Sequence, residues 1–155
     1  MQKMKVLFMP QWYPTSITPN AGAFNLEIAR AISKIAKVDI LTVHFNESKK
    51  FGKFEIKKRD SFLGEIEYHT GVSPIPKTTF IIIKHIYKKA ISNYLSKNEK
   101  PDIIHSQDVT SFFVLKAINE LRLNIPVVVS QHWSVFFKKK IERSLRLKYN
   151  YIFKN

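Results

Sequence analysis

Hydrophobic and polar positions along this chain follow two different periods, and these periods predict alternating strands and helices. Residues 4–9 form a short apolar run, which is typical of a buried parallel strand. From residue 23 the apolar residues recur at helical spacing, and another apolar run follows over 38–44. Strand, helix and strand together make a βαβ unit. The apolar positions assigned to the first helix are Phe24, Ile28, Ala31, Ile32 and Ile35.

The rest of the chain continues this alternation after a polar interruption. Residues 46–60 are mostly polar and basic, which predicts a hairpin or a mobile excursion, and residues 65–69 alternate as in a strand. Further helices are predicted over 83–95, 110–122 and 137–152, with strands over 102–106 and 126–130. We predict one α/β domain with a Rossmann-like, mostly parallel sheet and helices on both faces. Its adjacent core strands should be 4–9, 38–43, 102–105 and 126–130.

Polar side chains gather where the predicted strands end. The first strand runs into a long loop that reaches Gly22 just before a helix, and a second strand ends in His44. In a parallel α/β sheet all strand C-termini lie on one edge, and ligands bind in the crevice outside it. This convergence indicates a site like that of an enzyme. The two later strands contribute His105, Gln107 and Asp108, and then Gln131, His132, Trp133 and Ser134.

Each of these residues also has a purely structural interpretation. Gly22 can serve a plain turn, or it can let the backbone approach a phosphate at a helix N-terminus. The G-x-G-x-x-G spacing of a dinucleotide site is absent. His105 and His132 can be satisfied structural histidines, or donors to sugar hydroxyls or phosphate. We interpret Asp108, with Thr110 as the alternative, as the cap of the following helix.

Several kinds of catalytic site do not fit the sequence. The chain has no cysteine, which excludes disulfides, thiolate metal ligands and a cysteine nucleophile. No histidine pair has the spacing of metal ligands, so we predict no metal site. Paired carboxylates, a G-x-S-x-G elbow and a P-loop are also missing.

The charge of the chain is strongly positive. Its 26 Lys and Arg against 12 Asp and Glu give a formal net charge of +14. Such an excess favours nucleic acid, acidic lipid or phosphorylated substrates as partners, although a Lys-rich composition can also reflect the base composition of a genome. We find no signal peptide or bilayer-spanning run. We therefore expect the protein in the cytoplasm, with peripheral contact at the inner face of the membrane.

The last predicted helix combines an apolar stripe with a basic face. Its cationic face either adsorbs to anionic lipid or is an ordinary solvated surface. We expect weak, salt-reversible adsorption with the apolar stripe kept inside the domain. The basic residues of this helix are Lys138, Lys139, Lys140, Arg143, Arg146, Lys148 and Lys154.

Four segments, taken in order, resemble the N-terminal domain of family 4 glycosyltransferases, which have the GT-B fold. They are MKVLFMPQWYP, NAGAF with its following helix, PDIIHSQD and IPVVVSQHWS. In that family a first strand leads to a W-Y-P-type loop, a G-x-F segment opens a helix, and two later strands end in histidines. The resemblance covers the whole chain, with 45–100 aligning only loosely.

The resemblance implies roles for individual residues. Gly22 corresponds to the glycine that packs by the donor diphosphate, and His105 and His132 to histidines that face the cleft where acceptor and transferred sugar meet. The family often has H-x-H where this chain has His105-Ser106-Gln107, so the role of that second histidine is not carried over. His132 is then the candidate catalytic residue. The candidate substrate-binding residues are Gly22, Phe24, His105, Gln107 and Gln131.

The family reaction is sugar transfer from a nucleotide-sugar co-substrate to a glycan or lipid-linked acceptor, with retention and no other cofactor. In the family this reaction uses no protein nucleophile, and the donor phosphate helps to deprotonate the acceptor. Family members are longer, and their second domain carries most nucleotide-sugar contacts and an E-x7-E motif. The resemblance therefore implies that residues 1–155 are an acceptor-side domain, incomplete at its C-terminus, of a polysaccharide-biosynthesis enzyme whose C-terminal donor domain is absent here.

A non-catalytic function remains the alternative. A basic α/β domain that binds nucleic acid or anionic lipid would show strongly salt-sensitive binding. That binding would be indifferent to His105 and His132.

Overall fold

A computed structural model describes residues 3–16, 18–46, 49–59, 61, 63–71, 79–132 and 143–154. Within these ranges the chain forms strands and helices in the predicted alternation. The strands are β1 (Lys5–Met9), β2 (Lys37–Phe45), β3 (Phe54–Arg59), β4 (Gly64–Thr70), β5 (Ile103–Gln107) and β6 (Val127–Ser130). The helices are α1 (Ala23–Ser33), α2 (Thr79–Lys97), α3 (Thr110–Glu120) and α4 (Arg143–Lys154).

All six strands belong to one sheet, in the order β3-β4-β2-β1-β5-β6. Every neighbouring pair is parallel except β3 and β4, which form an antiparallel hairpin. A hairpin was one of the two alternatives predicted for 46–60, but the second strand of the observed hairpin lies beyond that segment. The four core strands β2, β1, β5 and β6 are adjacent, which confirms the prediction. The carboxyl ends of the parallel strands therefore share one edge of the sheet.

One face of the sheet carries the larger apolar core. Leu7, Leu41 and Ile104 project from the strands into a cluster with α2, α3 and α4. The described part of the last helix packs here through Tyr149 and Ile152, as its apolar stripe predicted. The positions predicted before Arg143, including Phe137 and Lys138–Lys140, lie outside the described residues. Along the described helices, no segment is long and apolar enough to cross a membrane.

Helix α1 covers the other face with part of its predicted apolar stripe. Ile28 and Ile32 pack against the core there. The fully buried residues of the helix are Asn25 and Ala29, whereas Phe24 is 46% exposed and Ile35, beyond the end of the helix, is 75% exposed. Asn25 is buried because its side chain donates to the carbonyl of Trp12 (2.6 Å), which holds this end of the helix against the loop after β1. Phe24 is thereby left at the surface.

A buried polar network ties that loop to the sheet on the α1 face. The Tyr13 hydroxyl donates to Glu65 (3.3 Å), and the Ser16 hydroxyl donates to Glu67 (3.1 Å). Arg59 from the edge strand lies 3.2 Å from Glu65 and 3.7 Å from Glu67. Both carboxylates are buried, so the guanidinium and the hydroxyls compensate the loss of their hydration.

Candidate active site

Gly22 sits between the loop after β1 and helix α1, where only glycine fits. Its φ is 65°, and a Cβ there would lie 2.3 Å from the carbonyl oxygen of Trp12. The buried Asn25 side chain binds the same carbonyl, so the loop is fixed against the first turn of α1. Because α1 begins at Ala23, its N-terminal amides lie beside the carboxyl edge of the sheet. A helix terminus in this position attracts anions.

His105 lies within β5, on the same face as Phe8 of β1. The two rings are 5.0 Å apart, and the His105 Nε2 lies 2.7 Å from the Ser130 hydroxyl at the end of β6. Burial, with a smaller contribution from repulsion by His132, holds the pKa of His105 below its usual value. The imidazole is therefore neutral at pH 7, able both to donate and to accept one hydrogen bond.

Asp108 does not cap the following helix, so that interpretation was wrong. The N-cap position of α3 is Val109, and no side chain bonds there. The Asp108 carboxylate turns across to the end of β6 instead, where its Oδ1 accepts from the His132 backbone N–H (2.9 Å) and the Gln131 amide (2.7 Å). The backbone at Asp108 adopts a positive φ of 49° to reach this position. Asp tolerates that conformation better than most residues.

His132 is exposed and is held from several sides. Its Nε2 lies 3.4 Å from the Gln107 amide nitrogen, and its ring meets Phe24 edge-on at 5.6 Å. With that amide N–H towards it, Nε2 of His132 is the acceptor, and the Nδ1 nitrogen is the hydrogen-bond donor of the ring. Gln107 itself is fully buried, and no group of the described chain donates to its Oε1.

Gln131 faces away from the other candidates. Its amide bonds Asp108 and also reaches the Tyr149 hydroxyl (3.1 Å), which belongs to the core on the α4 side. Gln131 thus links the end of β6 to the last helix. Its substrate-binding role stays a prediction.

The edge therefore brings most of the predicted residues into one connected set. Phe24 and Gln107 each contact His132, and His105 bonds Ser130, two residues before His132. Gly22 directly precedes the first turn of α1, which carries Phe24. Trp133 and Ser134 lie outside the described residues.

Sequence reasoning missed one residue of this edge. Gln11 follows β1 directly, and its Oε1 accepts from the backbone N–H of Val109 (3.1 Å). It thereby joins the ends of β1 and β5. Its position immediately after a strand is the signal that could have identified it.

His44 of β2 and His69 of β4 form a separate pair of histidines. Their rings stack at 5.2 Å, and the buried His69 bonds Glu67 at 2.9 Å. Burial, followed by repulsion from His69, lowers the pKa of His44 to about 4. Across the described ranges, no group of three or more His, Cys, Asp or Glu could hold a metal ion.

No protein-family model and no curated protein matches the chain. Solved structures do match. The alpha,alpha-trehalose 6-phosphate synthase of Burkholderia multivorans superposes with a TM-score of 0.57 at 11% identity, over 97% of this chain and 37% of that one. Starch synthase IV of Arabidopsis thaliana, bound to ADP and acarbose, gives 0.52 at 15% identity, over 85% and 34%.

A third match is a trehalose-6-phosphate structure from E. coli bound with UDP-2-fluoro glucose. Its TM-score is 0.54 at 11% identity, over 95% of this chain and 38% of that chain. The chain thus spans 34–38% of the length of these three proteins. At such identities the likeness concerns the fold, and the chain has the mixed α/β fold of GT-B glycosyltransferase domains.

Proposed function

We propose that this chain is the acceptor-side domain of a retaining glycosyltransferase that transfers a sugar from a nucleotide-sugar to a glycan or lipid-linked acceptor. The observation that carries the proposal is the contact of Phe24 with His132 at the carboxyl edge of a GT-B-like sheet. These residues come from opposite ends of the chain, and ligands of open α/β sheets bind at this edge.

His132 is the proposed catalytic residue because its ring is accessible while its backbone and one ring nitrogen are fixed. Asp108 and Gln107 hold it from the two sides. An imidazole fixed in this way can bind a hydroxyl of the acceptor or of the transferred sugar without losing much conformational freedom. The N-terminal turn of α1 at Gly22 is the proposed neighbour of the donor diphosphate.

The proposed partners follow from this role. They are a nucleotide-sugar donor, a glycan or lipid-linked acceptor, an anionic membrane that presents the acceptor, and a second domain that binds the donor. In the matched complexes, starch synthase IV holds ADP and the E. coli protein holds UDP-2-fluoro glucose. Polysaccharide biosynthesis in the cytoplasm is the setting that we propose.

Ligand titration followed by NMR tests this proposal on the chain itself. Nucleotide-sugars and neutral oligosaccharides would be added separately to uniformly ¹⁵N-labelled protein. We expect shifts at Gly22, Phe24 and His132, and at least about a fivefold weaker affinity for the active oligosaccharide in His132→Ala, since hydrogen bonds of this kind contribute about 1 kcal/mol. His85→Ala is the matched control, because His85 is also an exposed histidine but lies on α2.

Two outcomes would contradict the proposal. One is sugar binding that perturbs only residues away from the carboxyl edge. The other is binding of oligonucleotides with a steep salt dependence and no effect of His132→Ala, which would favour the non-catalytic basic domain.

A further inference from the structure

An apolar cleft opens at the far side of the sheet from β6, between the β3 end of the sheet and helix α2. Its volume is about 400 Å³. It is lined on one side by Phe51, Phe54 and Thr70, and on the other by Ile81, Ile82, His85, Ile86 and Lys89. None of these residues belongs to the candidate active site.

Two large apolar side chains that line this cleft remain exposed to solvent. Phe51 is 44% exposed and Ile81 is 66% exposed. Ile56, on the neighbouring strand β3, is a third at 37%. Clustered exposed apolar groups of this kind mark an interaction surface more often than a scattered single residue does.

Lysines surround the cleft. The Lys89 Nζ lies 4.3 Å from the centre of the Phe54 ring, at the wall of the cleft itself. An adjoining depression shares Phe54 and is lined by three more lysines. Two acidic residues that the structure describes on this side, Glu55 and Glu120, each pair with lysines. The lysines of the whole region are Lys49, Lys50, Lys53, Lys57, Lys58, Lys84, Lys88 and Lys89.

We propose that this β3-edge surface, made of residues 49–58 and the 81–89 stretch of α2, docks on an anionic lipid bilayer. The lysines would lie among acidic headgroups, and Phe51 and Ile81 would enter the acyl boundary. Charge complementarity favours this occupant, because residues 49–58 and 81–89 carry eight lysines and one glutamate, Glu55. The exposed apolar side chains favour a bilayer over nucleic acid, which offers them no apolar phase.

The position of the surface fits membrane-borne acceptors. Thr70 ends β4 at the carboxyl edge and lines the cleft, so the cleft and the candidate site share that edge. Four strand spacings separate β3 from β5, which corresponds to about 20 Å. The inference rests on the proposed function in one respect, because a lipid-linked acceptor would explain why the domain docks on a membrane. The docking itself requires no donor.

This surface lies at the opposite side of the sheet from β6 and α4. The cationic face of α4 was the contact expected from the sequence, so the two locations make competing predictions. In α4 the exposed basic residues include Arg146 and Lys154.

Co-sedimentation with vesicles tests the inference. The full chain would be mixed with phosphatidylcholine vesicles, with or without one quarter phosphatidylglycerol, at low and at raised salt. We expect binding to acidic vesicles at low salt and at least about tenfold less on neutral vesicles. Phe51→Ser with Ile81→Ser should lower the partition coefficient at least about tenfold, because it removes two side chains that would leave water.

Charge reversals locate the contact. Lys50→Glu with Lys53→Glu should lower binding at least about tenfold. The matched control is Lys37→Glu with Lys100→Glu, which changes the net charge equally at the opposite edge of the sheet, and it should lower binding less than about threefold. Arg146→Glu with Lys154→Glu should behave like the control. Thermal unfolding of every variant verifies that it is folded.

The inference is overturned if the α4 variant abolishes binding while the β3-edge variants do not. It is also overturned if all reversals act equally, or if neutral vesicles bind as well as acidic ones. The lysines would then serve to keep the edge strand from pairing with other chains. Vesicle binding that persists without any sugar binding by NMR would remove the proposed function and leave the docking surface in place.

Discussion

The carboxylate of Asp108 holds the backbone of His132, with Oδ1 2.9 Å from the amide nitrogen. This bond joins the end of β5 to the end of β6 outside the regular strand pairing. It determines where the exposed imidazole stands relative to Gln107 and Phe24. A residue without contact to any substrate can therefore set the geometry of the candidate active site.

Two substitutions of Asp108 distinguish the contribution of its hydrogen bonds to stability from that of its charge. We expect Asp108→Ala to lower the free energy of unfolding by about 2–3 kcal/mol, because two hydrogen bonds to a carboxylate are lost and the positive φ becomes costly. Asp108→Asn keeps an acceptor oxygen and tolerates the φ, so about 1 kcal/mol should be lost. Urea unfolding measures both. Equal losses in the two variants would contradict the bridging role.

Gly22 and Gly52 both have a positive φ but differ in the space around a Cβ, so their substitutions can be compared directly. Gly22→Ala should cost about 3 kcal/mol or more, because a Cβ would lie 2.3 Å from the Trp12 carbonyl oxygen in addition to the strained φ of 65°. Gly52 has a φ of 79° with nothing within 4 Å of a Cβ, so Gly52→Ala should cost only about 1–2 kcal/mol. Denaturant unfolding of the two variants gives the difference. Similar costs would show that the loop can move away from Gly22.

The end of α3 offers a stabilising substitution. Arg122 follows the helix with a φ of 52°, and its N–H bonds the carbonyl of Asn119 (3.1 Å). Glycine is favoured at such a position, so Arg122→Gly should raise the free energy of unfolding by about 0.5–1 kcal/mol. Arg122→Ala keeps the unfavourable φ and should give no gain. Thermal or urea unfolding distinguishes the two.

Stability should fall as the pH drops below about 6.5, in part through two histidines. Their pKa values lie below normal in the folded protein, that of His44 at about 4, so the unfolded chain binds more protons in this interval. Between pH 7 and pH 5, His44 should contribute a loss of about 1–2 kcal/mol, reduced by solvent at its partly exposed ring. His44→Gln should remove that part of the slope. An unchanged slope would show that His44 is protonated without penalty.

Residues 1–155 on their own should transfer no sugar. Transfer requires a donor-binding domain to close over the cleft and exclude water. Nucleotide release from UDP- and ADP-sugars, followed in the presence of oligosaccharides, measures this. Turnover by the purified chain would contradict the proposal that it acts as one domain of a larger transferase.

The fold could be predicted because the strands are short apolar runs separated by helical periods. The adjacency of the four core strands was predicted from this alternation, whereas their order and the pairing of β3 with β4 were not. The packing side of α1 was predicted only in part: Ile28 and Ile32 pack on the core, but the burial of Asn25 was not predicted. Apolar spacing does not reveal that the Asn25 side chain bonds the Trp12 carbonyl, a contact between separate segments of the chain.

For the candidate site, the position of each residue at the strand ends was predictable, but the direction of its side chain was not. Parallel strands place His105, Gln107 and His132 at one edge whatever their side chains do. The direction of each side chain depends on its partners, and for this reason Asp108 bridges two loops and Gln131 reaches Tyr149. The buried ion pair of Lys5 and Asp39 (3.2 Å) at the opposite edge is another such contact that no local pattern indicates.

The loop after β1 is held on the sheet by a polar network that includes Glu65, Glu67 and Arg59. This network lies on the α1 face, so it can open without exposing the larger core on the other face. We therefore expect the amide protons of residues 11–13, 15 and 16 to exchange with solvent through a local opening, and those of β1 and β5 only through global unfolding. The segment that leads to Gly22 would then be a separate cooperative unit that can rearrange around a ligand while the rest of the domain stays folded.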